Sequence, residues 1–307
     1  MRTISRDQRS DGEFTRQEST FREWVRADGR GDLPAEHGRY HLYLAKACPW
    51  ASRALIVRRL KRLEGAISVS FAHPLRDDRG WAFPGRPFQD DLNGFAFLAE
   101  AYERSDPDYD LRHCVPVLWD KRDGRIVNNE SADIMRMLNA EFDEWGDDRV
   151  DFYPADLRAQ IDALNERVHV GVNNGVYAAG FATTQDAYHR AFNDLFVTLG
   201  ALDLILGERR YLTGDRVTEV DWRLFVTLVR FDAVYYSHFK CNLRRIVDYP
   251  NLWGYTRELY QWPGVAETVD LGQIKAHYYG THPSLNPMRI IPEGPLLDFD
   301  GAHGRLQ

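Results

Sequence analysis

Three cysteines in 307 residues, Cys48, Cys114 and Cys241, are too few and too far apart to frame a fold. Their odd number leaves at least one thiol unpaired, which argues against a disulfide-stapled secreted domain and for a reducing compartment. Long apolar runs are missing too: no stretch reaches the roughly 18 residues a membrane span needs. The first 30 residues are polar and charged, without the apolar centre of a secretory leader. The expectation is a cytoplasmic protein with no membrane partner. Positive charge is in deficit, with 39 Lys and Arg against 46 Asp and Glu and a net charge of −7, so the whole molecule offers no footprint for nucleic acid. The local basic run Arg58-Arg59-Leu60-Lys61-Arg62 lies in a helical pattern and reads as a solvated helix face, with Arg58, Arg59, Lys61 and Arg62 toward water. The 10 histidines are scattered and no His or Cys pair has ligand spacing, so no metal is expected.

What is present suits two folded domains: 44% hydrophobic and 13% aromatic residues over a chain long enough for two cores. Residues 1–37, rich in Arg, Asp, Glu and Gly, read as an irregular arm. From Tyr40 the pattern sharpens. Tyr40 to Leu44 is a strand, Ala45 to Pro49 a loop, and Ala51 to Leu63 a helix with Ile56, Leu60 and Leu63 on one face. Ala66 to Ala72 alternates as a second strand. Residues 73–112 form a connection too long for a simple turn, and loops of that length tend to be functional. Val115 to Asp120 and Ile126-Val127 are strands joined by a hairpin turn over Lys121 to Gly124, and Ser131 to Leu138 is an amphipathic helix. This order is that of an α/β thioredoxin-like domain, residues 38–142. After an acidic linker, Leu157 to Val170, Thr184 to Leu206, Val220 to Tyr236 and Leu252 to Leu259 favour helix. The second domain, 155–282, is therefore all-α, and a proline-rich irregular tail covers 283–307.

Cys48-Pro49-Trp50-Ala51 sits between the first strand and the first helix. A thiol at a helix N-terminus meets unpaired N–H groups that favour its anionic form, and Pro49 fits the first helical turn. A dithiol redox enzyme needs a second cysteine at position 51; with Ala51 there, the chemistry left is monothiol, resolved by an external thiol. The alternative is a buried structural cysteine. Val115-Pro116 opens a strand after the long loop, where thioredoxin-like folds carry a cis-proline beside the active cysteine. Glu130-Ser131, at a helix start, makes either an anion site with an acceptor for an ammonium, as the γ-glutamyl end of glutathione requires, or a simple helix cap.

Cys48-Pro49-Trp50-Ala51, Gly80-Trp81-Ala82-Phe83-Pro84, Val115 to Asp120 and Asn128-Asn129-Glu130-Ser131, with Arg230 to Tyr235 and His238-Phe239-Lys240-Cys241-Asn242, resemble the glutathionyl-hydroquinone reductases, the xi class of glutathione transferases. The resemblance runs over about residues 38–295, and Thr218-x-x-Asp221 agrees with it as a capping box. It implies glutathione as co-substrate, an aromatic conjugate as substrate, and Cys48 as the nucleophile that becomes a mixed disulfide with glutathione. It further implies that Trp81, the segment Arg112, His113, Cys114 and Val115, and Glu130-Ser131 hold glutathione. By the same likeness Tyr177 donates a proton to the leaving ring, and Tyr235 and Tyr278 favour the Cys48 thiolate. Ordinary helix packing is the plainer account of each tyrosine. The stretch Tyr235 to Leu243 is either the surface of a homodimer or a buried helix end. Cys114 reads as an unreactive buried thiol and Cys241 as structural. Two other functions stay open: an omega-like thiol transferase acting on dehydroascorbate or small mixed disulfides, and a non-catalytic binding protein on a transferase fold.

Overall fold

The computed structural model describes residues 11–305, so the first ten residues of the arm and the last two of the tail lie outside the described part. Contacts gather the chain into two units. The first takes Gln17–Asp151 and Glu267–His277; the second takes Phe152–Ala266 and, of the described residues, 11–16 and 278–305. This grouping differs from the ranges read off the sequence by placing the arm from Gln17 and a segment near 270 with the first unit.

In the first unit, β1 (Tyr40–Leu44), α1 (Pro49–Leu60), β2 (Ser68–Phe71), α2 (Ala99–Ser105), β3 (Val117–Asp120), β4 (Arg125–Asn128) and α3 (Ser131–Ala140) follow in order. The sheet runs β2-β1-β3-β4, with β1 parallel to β2, antiparallel to β3, and β3 antiparallel to β4. This is the thioredoxin-like arrangement expected. All five residues of β1 are buried, as they must be in a strand covered on both faces. Helix α1 starts earlier than the apolar spacing indicated because Pro49 takes its first position, where a missing N–H costs nothing. The 73–112 connection contains α2, a seven-residue helix without a side-chain cap and with no sequence signal strong enough to show it.

Two basic side chains expected in water are buried instead. The Arg58 guanidinium donates to the Ile67 carbonyl at 2.7 Å, and burial pulls its pKa below the ordinary arginine value. Lys61 is fully buried, its Nζ 2.6 Å from Asp143 Oδ1 and 2.7 Å from the Val150 carbonyl. A basic residue can leave water when each donor finds an oxygen, and these two secure the turn after α1 and the segment that follows α3.

The second unit has α4 (Arg158–Val168), α5 (Gly175–Gly180), α6 (Gln185–Glu208), α7 (Glu219–Arg230), α8 (Tyr236–His238) and α9 (Leu252–Tyr260). Helix α10 (Leu271–Thr281) gives its residues through His277 to the first unit and the rest to the second. No strand occurs in the second unit among the described residues, and from 282 to 305 there is no regular element. The helix expected over Val220 to Tyr236 is interrupted by a π-helical turn at Phe231–Tyr235, and the one expected to end at Val170 runs on through a π-helical turn at His169–Asn173 into α5. The capping box is present: the Asp221 carboxylate accepts the Thr218 backbone N–H at 2.8 Å. It also takes the Leu212 N–H and the Tyr255 hydroxyl, the partners a fully buried carboxyl needs.

Candidate functional site

In the first unit the chemistry begins at Cys48. It is the N-cap residue of α1, with extended backbone (φ −82°, ψ 121°), and α1 carries no acidic residue in its first turn. Cys48 is buried, 8% exposed, and its Sγ lies 3.6 Å from the Val115 carbonyl, to which the thiol donates. Val115-Pro116 is cis, as the strand-opening proline led one to expect. The strand-to-helix turn and the loop before β3 thus meet at one sulfur.

The segments expected to hold glutathione are gathered by hydrogen bonds within the same unit. Glu130 is the N-cap of α3, one carboxylate oxygen accepting the Ala132 N–H at 3.0 Å and the other the Ser19 hydroxyl at 2.9 Å. Burial raises its pKa, but these donors together with Arg53 and Arg22 outweigh burial and leave it below the usual glutamate value. The cap reading of Glu130 is therefore satisfied, and a carboxylate with further acceptor capacity remains. Beside it, Arg53 is nearly fully buried, reaching the Ser131 hydroxyl at 3.3 Å with its guanidinium 4.4 Å from the Trp50 ring centre.

Tyr102 of α2 ties the two segments together. Its hydroxyl donates to the Cys114 carbonyl at 2.7 Å and accepts the Cys114 N–H at 3.1 Å and the Asn129 side-chain amide at 3.2 Å. Burial pushes its pKa well up, so it stays a neutral phenol able to donate. Tyr102→Phe is expected to lower the free energy of opening at the Cys114 amide by about 1–3 kcal/mol, the cost of leaving buried partners unpaired. Hydrogen exchange measures this, and unchanged protection would mean the hydroxyl does not hold the segment. His113 lies 5.2 Å from the Tyr102 ring, with its pKa lowered by burial. Cys114 is partly exposed rather than buried, because the loop before β3 runs at the edge of the unit's core. Trp81 is 2% exposed, stacked at 4.8 Å on His277, with the Arg76 guanidinium 5.2 Å from its ring centre.

In the second unit three tyrosines meet. The Tyr278 hydroxyl, on α10, lies 2.5 Å from that of Tyr177, on α5, and 2.9 Å from that of Tyr235. Tyr235 ends one π-helical turn and Tyr177 follows closely on the other; such turns recur where a helix re-aims functional side chains. Gly180 makes room for the cluster, since a methyl there would collide with the Phe239 ring, which stacks on Tyr235 at 5.4 Å. Burial pushes the pKa of Tyr235 and of Tyr278 well up, so both remain proton donors. Arg16, from the arm, holds its guanidinium 4.6 Å from the Tyr177 ring centre and donates to Asn174 at 2.8 Å. The stretch Tyr235 to Leu243 divides: Tyr235, His238, Phe239 and Cys241 are buried, while Leu243 is 66% exposed. The Cys241 thiol is pushed far up by burial, in keeping with a structural role. Among the described residues no three His, Cys, Asp or Glu side chains are grouped to hold a metal, and no helix is long and apolar enough to cross a membrane.

Sequence profiles of the glutathione S-transferase N-terminal and C-terminal domains match residues 47–141 and 185–258. A protein from Escherichia coli named glutathionyl-hydroquinone reductase YqjG is 50% identical over 304 residues, covering 96% of this chain and 92% of its own. The chain belongs to the glutathione transferase family. Its place is in the Xi class: a Xi-class transferase from Natrialba magadii superposes with a TM-score of 0.91 at 49% identity, covering 93% of this chain and 88% of that one. The E. coli protein, solved with glutathione bound, superposes at 0.90 over 93% of this chain and 96% of its own. A second relative, the glutathionyl-hydroquinone reductase PcpF of Sphingobium chlorophenolicum, is 51% identical over 95% of this chain and 93% of its own. In this Xi-class chain, sequence reasoning missed Gln17, Ser19, Arg53, Tyr102 and Arg16. None carries a motif, and each matters only through a partner distant in sequence.

Proposed function

We infer that this chain is a glutathionyl-hydroquinone reductase, using glutathione to reduce glutathionyl-hydroquinones to free hydroquinones. The observation that carries the reading is Cys48 standing alone at the N-terminus of α1, with Ala51 where a resolving thiol would be, on a chain half identical to two reductases of that name. The positive end of α1 favours sulfur as an anion. The Cys48 thiolate attacks the sulfur of the conjugate; a sulfur–sulfur bond forms, the sulfur–carbon bond to the ring breaks, and its electron pair passes to the ring carbon. Tyr177 supplies the proton that carbon needs, and the hydroquinone leaves. A second glutathione then attacks the mixed disulfide at the glutathione sulfur, releasing oxidised glutathione and restoring Cys48.

In this reading Trp81, Arg112 to Val115, Glu130 and Ser131 hold glutathione, Glu130 accepting from its ammonium and the start of α3 from Ser131 receiving its carboxylate. Tyr235 and Tyr278 serve as neutral donors to anions formed in the reaction. The protein works in the cytoplasm, where glutathione is kept reduced, and as a homodimer through Tyr235 to Leu243; light scattering at micromolar concentration is expected to return twice the chain mass. Steady-state turnover of glutathionyl-menadiol with reduced glutathione tests the reading: menadiol and oxidised glutathione should appear in equal amounts. A folded protein inert on this conjugate but active on dehydroascorbate would instead be an omega-like thiol transferase.

A further inference from the structure

The arm from Gln17 onward lies along the first unit, and its contacts fall on the same two segments that the proposed function gives to glutathione. The Gln17 side chain pairs with the Arg112 backbone in both directions: the Arg112 N–H donates to Oε1 at 2.8 Å, and Nε2 donates to the Arg112 carbonyl at 3.3 Å. Nε2 also reaches the Tyr109 hydroxyl at 3.2 Å. Ser19 Oγ lies 2.9 Å from Glu130 Oε2 and 3.2 Å from the Asn129 carbonyl. Phe21 takes the Asn129 N–H on its carbonyl at 3.0 Å and donates its own N–H to Asn129 Oδ1 at 3.2 Å. The side chains of residues 17 and 19 thus act at the period-two spacing of an extended chain, each on a residue of the proposed site, and the Phe21 backbone fastens the neighbouring Asn129.

Covering the exposed edge of β4 does not require these side chains. The Glu23 N–H already pairs with the Val127 carbonyl at 3.1 Å, and the Asn128 side chain with the Glu23 carbonyl at 3.0 Å, which suffices to blunt an edge strand. Ser19 and Gln17 instead address a backbone amide with its carbonyl and a carboxylate. The chemistry is specific: a hydroxyl donating to Glu130 fixes the orientation of that carboxylate and favours its ionised form, which is the form able to receive an ammonium. Burial raises the pKa of Glu130, but the Ala132 N–H and then the Ser19 hydroxyl pull it down, and the net lowering agrees with this.

We propose that Gln17 and Ser19 are positioning residues of the glutathione site, the arm holding the Arg112 backbone and the Glu130 carboxylate in the arrangement that receives the tripeptide. The proposal rests on the functional reading above and concerns the binding half of it. Held in advance, these groups lose little freedom when glutathione arrives, and affinity follows from that pre-organisation.

The test separates binding from sulfur chemistry. Glutathione is titrated calorimetrically into the full chain carrying Cys48→Ser, alone and with Ser19→Ala, Ser19→Thr or Gln17→Ala. Ser19→Ala and Gln17→Ala are each expected to raise the glutathione Kd about five- to tenfold, of the order of one lost hydrogen bond. Ser19→Thr, which keeps the hydroxyl, should bind close to the parent. With Cys48 intact, the effect of Ser19→Ala should fall on the KM for the glutathionyl conjugate, whose tripeptide fills this site, rather than on kcat, and the rate of Cys48 alkylation by iodoacetamide should not change. Parent-like affinity in both alanine variants would overturn the proposal. So would a weakening matched by equal loss of Cys48 alkylation and a lower thermal midpoint, which is what mere loosening of the unit gives. A parent that binds no glutathione would overturn the functional reading and this inference together, an outcome distinct from the others.

Discussion

Replacing Cys48 with Ala is expected to lower turnover of a glutathionyl-hydroquinone by at least about a thousandfold, since removal of a covalent nucleophile leaves only binding and proton donation. The other two thiols are poor substitutes. Cys241 is fully buried and its thiol is pushed up by burial, so it offers little nucleophile at neutral pH. Cys114 is partly exposed, but it stands in the loop before β3 and is not at a helix N-terminus; its backbone, not its sulfur, is what Tyr102 grips. Cys48→Ser is expected to fall nearly as far, because a hydroxyl at that position is a far weaker nucleophile than a thiolate. Steady-state rates on glutathionyl-menadiol check both variants. Activity retained in either would require a different nucleophile, and Cys114→Ser in the same background would identify it.

Tyr177→Phe is expected to slow hydroquinone release by about a hundredfold or more, within the range that a positioned general acid supplies. Reduction of a simple glutathione mixed disulfide should change little, because there the leaving group is a sulfur and no carbon needs a proton. The prediction follows from the hydroxyl chain. Tyr177 sits 2.5 Å from the Tyr278 hydroxyl, which in turn is 2.9 Å from that of Tyr235. With Tyr235 and Tyr278 kept protonated by burial, a phenolate formed at Tyr177 meets a ready donor, and the Arg16 guanidinium over its ring adds a positive charge. Tyr278→Phe should therefore lower the aromatic reaction as well, though by less. Equal losses on both substrates would remove Tyr177 from proton donation and leave it a packing residue.

The thioredoxin-like order was legible in the sequence because most elements there have a strong local cause: a short aromatic and aliphatic run in β1, alternation around β2, a hairpin turn at Lys121 to Gly124, and a cysteine-proline pair at a helix start. Helix α2 was not, since seven residues without a side-chain cap carry almost no periodic signal. The burial of Lys61 was likewise invisible, because whether a lysine faces water depends on Asp143 and Val150, some 82 and 89 residues further along. The same limit governs the site. Cys48, Glu130 and Ser131 announce themselves by position at helix starts, and the tyrosines through family likeness. Tyr102, Gln17 and Ser19 act by hydrogen bonds to backbone and side chains reached only by folding, and nothing in their own neighbourhoods marks them. The π-helical turn that ends at Tyr235 reads in sequence as uninterrupted helix, because a single extra residue per turn leaves the apolar pattern almost unchanged, while the one that carries the chain toward Tyr177 lies mostly beyond the helix read to Val170.

The most direct measurement of the central claim is a single turnover without added glutathione: the full chain mixed with one equivalent of glutathionyl-menadiol, quenched in acid, and examined by peptide mass spectrometry. The account predicts one menadiol released per chain and a glutathione disulfide on the peptide containing Cys48, removed by dithiothreitol. Menadiol release with the adduct on Cys114, or no release until free glutathione is supplied, would contradict it.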